Sequence, residues 1–319
     1  MERIKLFAQA KINLSLDVTG RLENGYHTLR MIMQTISLCD EVVLEKAREG
    51  IEILCDHPNL PCDERNICYK AAREFFMKTG IGAFGDGKNS DGTVSAKGCI
   101  CEETGNLYAG VRINIKKRIP IGAGLAGGSS DAAAVLKGLN ILYNTNLHPG
   151  ELAEIGLKCG ADVPFCIYGG TYLAEGIGER LTKLPSFSGV NAVVVKPDFS
   201  VSTAWVYKNY SLDELKERPD TDAIIDAIGT KDIAKVAGKM RNVLESVTAV
   251  KYPEINKIKH ALKKLGALGS MMSGSGPAVF GLFENFEKAN TAFEELRKIY
   301  KQTYLVSTTD GGEIYGENI

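Results

Sequence analysis

With 319 residues and 44% hydrophobic content, the chain is long enough for roughly two domains with real cores. Its formal net charge of −1 leaves no broad basic field for nucleic acid or an anionic membrane, and no uninterrupted apolar run reaches membrane-spanning length. The N-terminal Met-Glu-Arg-Ile-Lys-Leu-Phe-Ala runs straight into strand-like sequence rather than a signal peptide, which predicts a soluble, cytoplasmic protein without a nucleic-acid or membrane partner.

In chain order, the first 40 residues read as paired strands at 4–6, 11–18 and 29–37 around a turn at 21–26, and the pattern continues at 41–45 and 51–55. Asn66 opens a helix through Met77, with Ala71, Ala72, Phe75 and Phe76 on its apolar face. The stretch 80–110, rich in Gly, Ser, Lys and Asp, reads as a long loop in which 98–108 could form a small hairpin. Val111, Ile113 and Ile115 then alternate with Arg112, Asn114 and Lys116 as a half-buried strand. Beyond a glycine-rich segment, Ala132, Ala133, Val135, Leu136, Leu139 and Leu142 recur at helical spacing, with Ser129 or Ser130 as N-cap and Asp131 in the first turn. A helix is predicted over 149–158, strands near 171–174 and 192–196, and several helices within 203–264. Strand, helix and strand follow at 278–283, 286–299 and 304–308. This order predicts an α+β protein rather than a regular βαβ array.

The eight cysteines lie between Cys39 and Cys166 without a Cys-x-x-Cys pair. A chain of this length without an export signal needs no disulfide staples, so reduced thiols are expected. Cys99 and Cys101 leave a surface redox or metal pair open, but no third ligand lies nearby, and His27, His57, His148 and His260 lack metal spacing. No metal site is predicted.

The segment Pro120-Ile121-Gly122-Ala123-Gly124-Leu125-Ala126-Gly127-Gly128-Ser129-Ser130-Asp131 carries most of the chemistry. A strand, a loop nearly free of side chains and a helix N-terminus make an anion cradle, because first-turn amides lack intrahelical partners and the helix dipole adds positive potential. A polyphosphate is the expected guest. The P-loop pattern fails, since no Lys follows the glycines. Gly122, Gly124 and Gly127 satisfy Gly-x-Gly-x-x-Gly, but the acid expected about 20 residues on, Glu151, sits in a helical pattern. A purely structural glycine-rich turn is the remaining bland reading.

Two further residues are candidates for chemistry. Asp162, in Gly-Ala-Asp-Val-Pro-Phe, has apolar neighbours that could desolvate a general base, or it could be a turn residue bonding its own backbone. Lys11 sits in the alternating Ala-Lys-Ile-Asn-Leu-Ser-Leu, where a lysine could equally point to solvent.

Taken together, Ala10-Lys11-Ile12-Asn13-Leu14, the loop at 120–131, Gly160-Ala161-Asp162-Val163-Pro164 and Ser273-Gly274-Ser275-Gly276-Pro277 resemble, in order and spacing, the GHMP small-molecule kinases. Asn24-Gly25-Tyr26-His27-Thr28-Leu29 narrows the resemblance to the branch acting on a CDP-linked methylerythritol in non-mevalonate isoprenoid biosynthesis. It covers nearly the whole chain. It implies two domains, an α+β ATP-binding domain over 1–172 and a ferredoxin-like α/β substrate domain over 173–319. It also implies ATP-dependent phosphorylation of the substrate's 2-hydroxyl, with Mg²⁺ accompanying ATP, by a monomer or homodimer. Other GHMP kinases, acting on mevalonate-type compounds, homoserine or sugars, and a non-catalytic ATP-binding sensor are the alternatives.

The resemblance also implies roles for individual residues. Asp162 would take the hydroxyl proton, with Lys11 beside it. Pro120, Gly122, Gly124, Leu125, Ala126, Gly127, Gly128, Ser129 and Ser130 would hold the ATP phosphates, with Lys117 and Asn66 near the nucleoside. Tyr26 and His27 would grip the cytosine, which would lie between Tyr26 and Tyr207. Asn13, Thr203, Gly274 and Ser275 would help to bind the substrate. Two departures stand out. Ala126 replaces a commoner glycine, which is tolerable at negative φ, and 80–110 is longer than usual, an inert surface insertion being the simplest reading.

Overall fold

A computed structural model describes residues 1–23, 25–81, 99–100, 107–212 and 217–311; Asn24 and most of the 80–110 insertion lie outside the described residues. The N-terminal strands are longer than the sequence suggested. The segments at 4–6 and 11–18 fuse into β1 (Arg3–Arg21), and those at 29–37 and 41–45 into β2 (His27–Ala47), its antiparallel partner. The join was hidden because Ala8 and Ala10, small but fully inward, keep the burial alternation of Ile4 and Leu6 running. Next come β3 (Glu49–Cys55) and α1 (Ile67–Thr79). Asn66 caps α1, accepting from the Cys68 amide at 2.9 Å, and Gly80 ends it at φ 69°. A short β4 (Cys99–Ile100) pairs antiparallel with β5 (Leu107–Lys116), the hairpin expected near 98–108. Then follow α2 (Gly127–Leu142), α3 (Pro149–Cys159), α4 (Val163–Tyr168), β6 (Thr171–Gly176) and β7 (Arg180–Lys183).

The remainder comprises β8 (Asn191–Lys196), α5 (Thr203–Lys208), α6 (Thr221–Gly229), α7 (Ile233–Lys239) and β9 (Arg241–Asn242). These are followed by α8 (Glu245–Lys251), α9 (Glu254–Lys264), β10 (Gly269–Met272), β11 (Val279–Phe283), α10 (Phe286–Leu296) and β12 (Gln302–Ser307). Periodicity missed α4, β7, β9 and β10, each too short to display a repeat. The larger sheet runs β3-β5-β2-β1-β9, with β6 on β2 and β7 on β6. The smaller sheet runs β10-β11-β8-β12, wholly antiparallel. Numbered by its own strands that order is 2-3-1-4, the ferredoxin-like arrangement. A division near residue 172 thus falls inside β6, which hydrogen-bonds to β2 in the larger sheet.

Three buried clusters meet along β1. Ile4, Leu6 and Ala8 pack with Phe75, Phe76 and α2, while Ala10, Ile12 and Leu14 join Ile119, Val194 and Phe280. Leu16 and Val18 pack with Met33, Phe165 and Val195. Each large side chain buried this way contributes roughly 1.5–3 kcal/mol. Even-numbered residues of β1 therefore serve cores, which leaves odd-numbered Lys11 and Asn13 on the opposite side. Register shifts at Gln9/Lys11 and Asn13/Ser15 bracket these two residues, a local re-aiming typical of strands beside a site.

Candidate active site

The loop after β5 is built by backbone reversals. Gly122, Gly124 and Ala126 take left-handed φ values of 61°, 78° and 58°. This corrects two expectations. Ala126 is not at negative φ, and it, rather than Ser129 or Ser130, occupies the N-cap position of α2, which begins at Gly127 without a side-chain cap. The turn finishes three or four residues earlier than the serines suggested because Ala126 completes the reversal, which leaves Asp131 beyond the first turn of α2, and Ser130 is drawn inward to donate its hydroxyl to the Gln9 carbonyl. The amides of Gly127, Gly128 and Ser129 thus head the helix with no intrahelical acceptor, in the field of its dipole.

The loop is pinned from both sides. The Lys11 amide donates to the Leu125 carbonyl at 3.1 Å and the Ala278 amide to the Ala123 carbonyl at 3.1 Å. Ser273 Oγ donates to the Gly124 carbonyl at 3.0 Å. A Cβ on Gly124 would lie 2.2 Å from the Ser273 carbonyl oxygen, so only glycine fits.

A single open cavity of about 1180 Å³ runs from this loop to the β1–β2 hairpin. Of the residues singled out from the sequence, all line it except Ser130, whose side chain is committed to Gln9. Lys11, 4% exposed, does not point to solvent; its Nζ donates to Asn13 Oδ1 at 2.7 Å rather than to Asp162. Asn13, fully buried, in turn donates to Met31 Sδ at 3.3 Å. Half-buried Asp162 stands at the head of α4 and makes no side-chain cap bond, so its carboxylate is not consumed as a turn residue. Its charge reaches Cys166 and Tyr207, both pushed up first by burial and then by this carboxylate. Gly274, at φ 56°, brings the turn after β10 against Lys11, since a Cβ there would lie 3.4 Å from Nζ. Thr203 Oγ1 and Ser275 Oγ share a hydrogen bond of 2.7 Å.

At the hairpin end, the ring stacked on Tyr207 is that of His27, with centroids 5.3 Å apart, and Tyr210 meets His27 edge-on at 6.3 Å. Burial, then the Arg21 charge, lowers the His27 pKa. Tyr26 is 62% exposed at the cavity mouth. Arg21, Lys208 and Tyr210 line this end and were not read from the sequence. Arg21 pairs across the strand register with His27, so the 24–29 motif held the one available pointer to it.

At the loop end, Asn66 spends its amide on the α1 cap and on the Pro61 carbonyl, at 2.7 Å. Lys117 Nζ donates to Asp40 and, at 2.7 Å, to Asp131 Oδ2; all three side chains are nearly sealed, at 5%, 0% and 3% exposure. Asp40 also accepts from the amides of Arg118 and Ile119. Burial pushes Asp131 up to about 8 despite the Lys117 ammonium. Asp40 was legible in principle, because it shares strand parity with buried Val42 and Leu44. Among the described residues no group of three or more His, Cys, Asp or Glu gathers as a metal cluster. Cys39, Cys55, Cys62, Cys68, Cys159 and Cys166 are free thiols, whereas the side chains of Cys99 and Cys101 lie outside the description. No described helix is long and apolar enough to cross a membrane.

Family models match at both ends of this arrangement, GHMP kinases N terminal domain over 93–170 and GHMP kinases C terminal over 224–302. The 4-diphosphocytidyl-2-C-methyl-D-erythritol kinase of Acetivibrio thermocellus is 53% identical over 308 residues, 97% of this chain and 100% of the relative. The protein of the same name from Clostridium botulinum is 46% identical over 301 residues, 94% of this chain and 98% of its own. A crystal structure of 4-(cytidine 5′-diphospho)-2C-methyl-D-erythritol kinase superposes with a TM-score of 0.75 at 32% identity, covering 97% of this chain and 100% of that one. Homoserine kinase from Cytophaga hutchinsonii reaches the same TM-score at 20% identity, covering 98% and 96%, which speaks for the fold alone. The chain belongs to the 4-diphosphocytidyl-2-C-methyl-D-erythritol kinase family of GHMP kinases.

Proposed function

We propose that the protein transfers the γ-phosphoryl group of ATP to the 2-hydroxyl of 4-diphosphocytidyl-2-C-methyl-D-erythritol, giving the 2-phosphate and ADP. One observation carries this reading. A single cavity joins a helix N-terminus with free amides, a carboxylate and a lysine at mid-length, and a cluster of rings at the far end. The amides from Gly122 to Ser129 would receive the phosphates. Asp162 would accept the hydroxyl proton as the oxygen attacks the γ-phosphorus and the bond to the β-phosphate oxygen breaks, with ADP leaving. Lys11, held in place by Asn13, would steady charge on the attacking oxygen. The protein's share is chiefly positioning and electrostatics. Mg²⁺ would accompany ATP and offset negative charge on the transferring phosphates.

At the other end, cytosine would enter between Tyr26 and Tyr207. That requires the His27 ring to leave Tyr207, a stack worth about 0.5–1.5 kcal/mol, after which the imidazole is free to hydrogen-bond the base. Residues 1–172 would supply the nucleotide half and 173–319 much of the acceptor half, with β6 and β7 reaching back to the larger sheet. The same reading puts the enzyme in the cytoplasm, as a monomer or homodimer without a nucleic-acid partner. ATP consumption measured against the CDP-linked alcohol, mevalonate, homoserine and galactose, with CMP and CDP as competitors, tests the assignment. Turnover of one of the other alcohols without inhibition by CDP would refute it.

A further inference from the structure

Beneath the phosphate loop lies a cluster that the proposed reaction does not use. The Lys117 ammonium is shared by two buried carboxyls, Asp40 from β2 and Asp131, the fifth residue of α2. Asp40 is fully engaged, with one oxygen taken by the amides of Arg118 and Ile119 and the other by Lys117. Asp131 is not. Its Oδ2 meets Lys117, while its buried Oδ1 has no hydrogen-bond partner. With both acids ionised the cluster would hold a net charge of −1 in the interior, with an orphaned carboxylate oxygen, a combination that burial penalises heavily. It also lies against the anion cradle. A Cβ on Gly127, the first residue of α2, would be 3.4 Å from Lys117 Nζ, and Asp131 itself lines the cavity.

We infer that Asp131 carries a proton when nucleotide is bound, so that the loop takes up a proton together with its triphosphate. A proton on Asp131 makes the cluster neutral and turns repulsion between two carboxyls into a possible O–H···O contact with Asp40. A polyphosphate arriving above α2 adds negative charge and favours that protonated state further. By linkage, the same proton must then strengthen nucleotide binding.

The surrounding groups do not compete for this role. Cys68 of α1 and Cys166 of α4 are thiols that burial pushes far upward, so they stay neutral through the pH range concerned, and burial raises Cys55 of β3 as well. Lys137, further along α2, donates to the Cys166 carbonyl and is lowered by burial, a contribution common to the native protein and Asp131→Asn that cancels in their comparison, and Lys11 of β1 is engaged with Asn13. The upward displacement of the Asp131 carboxyl agrees with the geometry.

The inference rests on reading the loop as the nucleotide site, and the test separates the two. Binding of the β,γ-imido analogue of ATP is followed by calorimetry from pH 6.5 to 9.5, in pairs of buffers with different ionisation enthalpies, for the native protein and Asp131→Asn. The native protein should take up close to one proton above about pH 8 and lose up to about tenfold affinity per pH unit there. Asp131→Asn, which keeps shape without a titrating group, should show neither effect beyond the analogue's own phosphate titration. Equal proton counts in the two proteins would overturn the inference. So would proton release on adding Mg²⁺ alone to the native protein and not to the variant, which would make Asp131 a metal ligand. Carbon-13 NMR of aspartate carboxyls in the native protein provides a reading independent of nucleotide and variant. One carboxyl should titrate far above the ordinary range, and if every aspartate titrates normally the proton is not there. Absence of analogue binding at every pH, with that NMR signal present, would sink the nucleotide reading and the linkage while leaving the buried proton standing.

Discussion

Replacing Gly124 with alanine concentrates the strain of the site into one methyl group. The added Cβ would sit 2.2 Å from the Ser273 carbonyl oxygen, whereas ordinary contact begins at 3.4 Å, so the two backbones must part by roughly 1 Å. The residue would also hold φ 78°, which costs an L-residue roughly 1–2 kcal/mol. Parting the strands weakens the Ser273 and Ala278 hydrogen bonds to the loop, at roughly 0.5–1.5 kcal/mol each. The sum is about 2–5 kcal/mol of stability, and a displacement of that size in a phosphate cradle is worth about 10²-fold in turnover. Gly128→Ala serves as the control, because its Cβ would meet only Ile67 Cγ2, at 3.5 Å, and its φ is not left-handed. Inside a helix that change should be neutral or stabilising by up to about 1 kcal/mol. Urea unfolding reads the stabilities, and coupled ADP release reads the turnover of Gly124→Ala. Native-like stability and turnover in Gly124→Ala would show that the loop is not wedged as described, and an equal loss of stability in Gly128→Ala would place the cause elsewhere.

Asp162→Asn keeps the shape of the side chain but removes the proposed base, and should lower turnover by about 10²–10⁴-fold with little change in nucleotide affinity; near-native turnover would end that assignment. Ala126→Gly relieves a left-handed alanine and should raise the denaturant midpoint by the equivalent of up to about 1 kcal/mol, offset in part by the greater freedom of the unfolded chain. A lowered midpoint would contradict the strain described at that residue. Since the folded His27 has a pKa below its ordinary value of about 6.5, charging it opposes the native arrangement, and the stability it contributes declines as pH falls from that value toward the folded one. Fold stability should therefore hold from pH 8 to 6.5 and decline below, and His27→Gln should flatten the decline in urea unfolding; an unchanged acid limb in that variant would show that the imidazole is not its source.

The anion cradle was legible because it is encoded locally, by glycine spacing between an alternating strand and a 3.6-period helix. Its details were not. Serines invite an N-cap assignment, but the position of the cap was set by the left-handed Ala126, which no propensity favours. Lys11 was ambiguous because solvent or cavity depends on what covers the strand, and that cover comes from residues more than 100 positions away. The apolar faces of α1 and α2 were plain, whereas α4, β9 and β10 are short elements stabilised by neighbours rather than by their own pattern. The Asp40–Lys117–Asp131 cluster joins residues 77 and 14 positions apart, and only the close approach of β2, β5 and α2 brings them together.

The bonds that tie the main chain at 123–125 to β1 on one flank and to 273–278 on the other make the cradle a rivet between the two sheets. A rivet forbids a hinge at the same spot. Any swing of one sheet against the other would pull apart the grip on the triphosphate itself, so reactants and products have to pass through the outer rim, where the Tyr26 ring stands in solvent. Changes in how wide that rim opens would then govern the pace of exchange while leaving the phosphoryl-transfer geometry untouched.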